Sequence, residues 1–91
     1  MATYIAVLER ESTTLWSVFF PDLPGCTSAG QTYGEAIDGA STALRLWIED
    51  ALSKGETLTA PSTAEVIAVE LEANSIEGEL LTVPLISNAS R

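Results

Sequence analysis

Ninety-one residues, 46% of them hydrophobic and 19% charged, suffice for one folded domain with a modest core and leave no room for a second. Thirteen acids against four basic residues give a net charge of −9, which excludes a surface built to grip a phosphate backbone, because Arg10, Arg45, Lys54 and Arg91 are scattered along the chain. One cysteine and no histidine exclude an intrachain disulfide and a His/Cys zinc site, and without a long apolar run or a basic leader the expectation is a cytoplasmic chain needing no membrane, metal or cofactor.

Residues 3–8 alternate strand formers, with Tyr4, Ala6 and Leu8 on one face and Ile5 and Val7 on the other. Both faces are apolar, as a central strand requires. A polar turn over 10–14 leads to a second strand at 15–20, with Trp16, Val18 and Phe20 opposite Leu15 and Phe19, so the two form a hairpin. Pro21 ends that strand, Pro24-Gly25 marks a turn, and 26–29 leave only a short third strand at a sheet edge.

Thr32 and Glu35 have the spacing of a capping box, in which hydroxyl and carboxylate satisfy free N–H groups at a helix start, so a helix begins at Tyr33. Ala36, Ile37, Ala40, Ala43, Leu44, Trp47, Ile48, Ala51 and Leu52 then draw one apolar stripe, and Gly55 supplies the left-handed residue that stops it. Arg45 with Glu49 and Asp50 with Lys54 are i,i+4 ion pairs, each worth about 0.2 to 0.5 kcal/mol. A polar connection over 56–63 precedes residues 66–71, where Ile67, Val69 and Leu71 alternate with Val66, Ala68 and Glu70 and predict a fourth strand. A turn over 74–78 leads to a fifth strand at 80–86, which Pro84 assigns to an edge or to pairing with a partner. The reading is thus α+β in the order β-β-β-α-β-β, one helix on a mostly antiparallel sheet. With the fourth strand parallel beside the first, the sheet order is 3-2-1-4.

The most specific stretch runs from Ser17 to Leu44: an aromatic strand entering Pro21, Asp22, Leu23, Pro24, Gly25 and Cys26, then Gly30, then Thr32, Glu35 and Ala36 at the helix start. Over Thr3 to about Leu71 the chain resembles the HicB-like antitoxins of toxin-antitoxin systems. The resemblance implies a partly degenerate ribonuclease H-like fold and a small basic HicA-like ribonuclease toxin as partner, whose active surface the antitoxin covers. It divides the chain into a HicB-like domain at 1–73 and a C-terminal turn and strand at 74–91, the latter a candidate for oligomerisation into a homodimer or larger. Many members of that family continue into a DNA-binding segment; the residues after the last strand here are too few for one.

Most motif residues have a scaffold reading: prolines stiffen a turn, Gly25 and Gly30 take positions other residues resist, and Thr32 with Glu35 caps a helix. Asp22, expected to be exposed, is equally a turn residue and a partner contact. Cys26 as a nucleophile has no histidine to activate it, so a buried structural role fits better. Nuclease chemistry would need carboxylates converging on a divalent metal, and the candidates are Glu9, Glu35, Asp38 and Glu70. Capping accounts for Glu35 and a solvated face for Asp38, and no basic surface awaits RNA, so the chain reads as a non-enzyme. The rival to an antitoxin is a stand-alone oligomeric domain of the same fold with a regulatory or small-ligand role. Either way, the −9 charge predicts no binding of duplex DNA or RNA by the purified chain at micromolar concentration and physiological salt. A salt-sensitive signal in a fluorescence titration would contradict this.

Overall fold

A computed structural model describes residues 3–58 and 60–85. The elements are β1 (Thr3–Ser12), β2 (Leu15–Phe19), β3 (Thr27–Gly30), α1 (Tyr33–Ser53), α2 (Ala64–Ala73) and β4 (Glu79–Pro84). All pairings in the four-stranded sheet are antiparallel, and the order is β3-β2-β1-β4.

The double-sided apolar pattern of the first strand has its consequence in β1, which is central and buries every residue from Tyr4 to Leu8. Tyr4, Ala6 and Leu8 face α1, where they meet Val18 and Phe20 from the hairpin and the ridge Ala36, Ala40, Leu44 and Ile48. Ile5 and Val7 face the other way and meet Ile67 and Leu71 of α2, with Phe19, Ile76 and Leu80 packed around them. Helices therefore cover both faces of the sheet.

Helix α1 starts and stops where its end signals lie. Thr32 is the N-cap and accepts the Glu35 N–H at 3.1 Å, while the Glu35 carboxylate accepts the Gln31 N–H at 3.0 Å, one residue ahead of the cap. At the other end Gly55 (φ 73°) lets its own N–H reach the Leu52 carbonyl and the Glu56 N–H reach that of Ala51, a Schellman closure.

Two expectations need correction. Residues 66–71 form the body of α2, not a strand, so the described residues hold two helices, and the last strand rather than 66–71 lies beside β1, antiparallel instead of parallel. The alternation of Ile67, Val69 and Leu71 looks like a strand because Val69 is apolar, yet only Ile67 and Leu71, four apart, are buried; Val69 stands 66% exposed. The helix is set by its ends. Thr63 caps it by accepting the Val66 N–H at 3.3 Å, and Ser75 at φ 56° allows Ile76 to donate to the Leu71 carbonyl at 2.8 Å. The last strand pairs with β1 from Leu8↔Glu79 to Thr3↔Pro84 and forms a sheet edge, as Pro84 required. Residue 86 of the expected strand and the tail after it lie outside the described residues.

The helical reading of this segment makes a separable prediction. Ile67→Ala should cost about 2 to 5 kcal/mol of unfolding free energy, whereas Val69→Ala should stay within about 0.5 kcal/mol. Urea titration of both variants checks it, since a strand would put both side chains on one face and make both costly.

Candidate partner-binding surface

The segment after β2 is a tight loop closed on itself. Leu23 N–H donates to the Phe20 carbonyl at 3.0 Å, Cys26 N–H to that of Leu23 at 2.9 Å, and Phe20 N–H to that of Cys26 at 3.2 Å. This turns Leu23 and Cys26 inward, where both are buried with Phe20 beneath α1. Pro21 is half-buried and Pro24 exposed, and Gly25 takes φ 89°, which a residue with a Cβ resists. At Gly30 the constraint is space: a Cβ there would sit 2.6 Å from the Ala36 nitrogen at the start of α1. Ala36 itself is fully buried.

Asp22 is half-buried rather than exposed, and both its oxygens are engaged. Oδ2 accepts the Ser62 N–H at 2.6 Å and Oδ1 the Ser62 hydroxyl at 2.7 Å. Ser62 directly precedes the Thr63 cap, so Asp22 fastens the motif loop to the entry of α2. Burial, and then the Asp22 charge, raise the Tyr4 phenol above its ordinary pKa. Nothing in the sequence pairs residues 22 and 62; only the fold brings them together.

Cys26 has no activating base among its contacts, and burial pushes its thiol up from 9.0 to about 11. The nuclease candidates do not converge. Glu35 caps α1 and Asp38 is exposed on it, Glu70 lies on α2 beyond the opposite face of the sheet, and Glu9 lies near the end of β1. Among the described residues no group of three acids or cysteines is placed to hold a metal ion.

Charge is distributed unevenly. Arg45 pairs with Glu49 at 3.7 Å and Lys54 with Asp50 at 2.9 Å, both on α1, and Arg10 lies over the Trp16 ring at 5.5 Å. Trp16 in turn packs in a T-shape with Tyr33, ring centroids 5.5 Å apart, and the Tyr33 hydroxyl donates to the Glu79 carboxylate, which raises its pKa. Among the described residues no ion pair reaches α2, where Glu65, Glu70 and Glu72 stand exposed. An open groove of about 950 Å³ runs along this helix, with Leu71, Ile76 and Leu80 in its floor and Glu9, Glu72 and Glu77 on its rim. Reading residues 66–71 as a strand hid this surface. The signals that reveal it are the Thr63 cap and the four-residue spacing of Ile67 and Leu71.

A four-stranded antiparallel sheet between two helices, with an acidic face and a self-closed Pro-Asp-Leu-Pro-Gly-Cys loop, describes a small α+β domain. The family model described as HicB_like antitoxin of bacterial toxin-antitoxin system matches residues 4–87, and the chain belongs to that family. The UPF0150 protein ssr1765 of Synechocystis is 37% identical over 51 residues, covering 56% of this chain and 65% of that protein. The chain superposes on the antitoxin HicB of Burkholderia pseudomallei with a TM-score of 0.79 at 22% identity, over 98% of this chain and 66% of that one. It therefore spans about two thirds of both relatives. The N-terminal domain of the same Burkholderia antitoxin matches with a TM-score of 0.72 at 25% identity, over 91% of this chain and 99% of the domain. A chain in a solved HicA3 and HicB3 toxin-antitoxin complex matches with a TM-score of 0.76 at 22% identity, over 93% of this chain and 99% of that one.

The buried thiol gives a pH prediction. The folded chain retains a proton that the unfolded chain loses above pH 9, so Cys26 contributes stability that is intact below pH 9 and is lost as the pH rises to about 11. The Cys26 share of the unfolding free energy should fall across that interval by on the order of 2 kcal/mol. Cys26→Ala should be less stable at neutral pH and fall less steeply, as urea titrations at a series of pH values will show.

Proposed function

We propose that this chain is the antitoxin of a toxin-antitoxin pair and acts by covering the active surface of a small basic HicA-like ribonuclease, with no catalysis of its own. Family membership over residues 4–87 carries this reading. The charge of −9 supplies the physical reason for encounter, because opposite fields accelerate association beyond the unsteered range of about 10⁵ to 10⁶ M⁻¹s⁻¹. The solved relative in complex with a HicA3 toxin supports the class of partner.

Four finer points belong to the same proposal. A degenerate ribonuclease H-like descent is supported by the order of three antiparallel strands followed by a helix. Self-association is supported by the position of β4, an edge strand carrying half-buried Leu80 and Leu81. Action in the cytoplasm is supported by the toxin-antitoxin family itself and by one buried, unbridged cysteine. Asp22 contributes to partner binding through its hold on the entry of α2.

Expressing the chain together with a candidate HicA-like toxin, should one be encoded beside it, should relieve growth arrest, and the purified pair should form a complex that no longer cleaves RNA. Raising ionic strength should lower the on-rate far more than it raises the off-rate. Growth arrest that persists while both proteins are folded and abundant would reject the antitoxin reading for that pair and favour the stand-alone oligomer.

A further inference from the structure

Helix α2 carries apolar surface on more sides than the fold uses. Ile67 and Leu71 close the second face of β1, while Val66 and Val69 remain 47% and 66% exposed. These two valines, with Glu65 and Glu70, line a shallow depression of about 370 Å³ on the outer side of the helix. On its flank the groove of about 950 Å³ repeats the same chemistry, an apolar floor inside a rim of glutamates. Val66 and Val69 thus form an exposed apolar strip flanked by Glu65 and Glu70, opposite the buried Ile67 and Leu71, and an uncovered apolar strip rimmed by polar residues has the character of one half of an interface.

Charge decides what the other half is. A second copy seated symmetrically would bring Glu65, Glu70 and Glu72 against their own images, and like charges brought together cost several kcal/mol. An anionic membrane surface or a nucleic acid is repelled for the same reason. What fits is a cationic polypeptide segment with an apolar ridge. The outer side of α1 is a poorer match, because Glu49 and Asp50 already have basic partners within their own helix.

We propose that the groove beside α2 and the outer face of that helix form the seat of the basic partner, which lays an apolar ridge over Leu71, Ile76 and Leu80 and sets Lys or Arg side chains against Glu9, Glu72 and Glu77. This rests on the antitoxin reading and adds to it the location of contact.

The test compares two charge reversals of equal size. Glu72→Lys with Glu77→Lys, and Asp38→Lys with Glu49→Lys, each replace two acids by two lysines, so each moves the net charge by four, from −9 to −5. Binding of a purified HicA-like toxin is measured by calorimetry at physiological salt, and folding of each variant by circular dichroism. The groove reversal should weaken Kd by about 100-fold or more, and the α1 reversal by less than about 5-fold. A third variant, Val66→Ser with Val69→Ser, leaves the charge unchanged and should weaken Kd by about 10-fold; it carries the test if the groove reversal unfolds the chain. Equal weakening by both reversals, or weakening by the α1 pair alone, would overturn the seat while leaving the antitoxin reading intact. Failure of the unaltered chain to bind would remove both. A fall in the chain's own oligomeric mass caused by the groove variants would assign the face to a second copy and also overturn the seat.

Discussion

The fold depends on the burial of β1 from both sides. Five successive residues, Tyr4 to Leu8, lie out of water, and because side chains alternate across a strand, neither face can be left bare. One helix closes one face only. Helix α1 meets Tyr4, Ala6 and Leu8, so Ile5 and Val7 require a second cover, and Ile67 and Leu71 of α2 supply it. The remaining devices hold these two covers in register with the strand. The capping box fixes where α1 begins, and the close approach at Gly30 lets that first turn settle onto the sheet. Asp22, through Ser62, fixes where α2 begins.

The motif and the interaction surface thus have different tasks. Leu23 and Cys26 belong to the core, Gly25 to a backbone turn, and Asp22 to a clamp, so the most specific stretch of sequence builds the scaffold. The surface suited to a partner lies on the far side of the sheet, on a helix outside that motif. There the acids stand without ion pairs among the described residues, beside valines that folding leaves uncovered. A neutral, buried thiol at Cys26 fits the structural role and offers nothing to nucleophilic chemistry at neutral pH.

Where local signals agree with tertiary demands, the sequence is legible. The apolar alternation of residues 3–8 on both faces identified the central strand, Thr32 with Glu35 located the start of α1, Gly55 its end, and Pro84 the edge strand. Residues 66–71 mimic a strand because Val69 is apolar without being buried, so Ile67, Val69 and Leu71 show a period of two where the buried pair Ile67 and Leu71 has a spacing of four. Val69 mimics a strand residue for the same reason that it suits an interface. The Asp22–Ser62 contact and the groove are products of the fold, built from residues far apart in the chain, and no local pattern announces them.

The central claim is that α2 is an integral cover of β1 and not an appendage, and native-state amide hydrogen exchange in low urea measures this directly. The account predicts that the amides of Ile67 and Leu71 exchange only with the opening that also exposes Val7 and Leu8, with one common free energy and urea dependence. Exchange of the α2 amides through a separate, low-energy opening while β1 stays protected would contradict it.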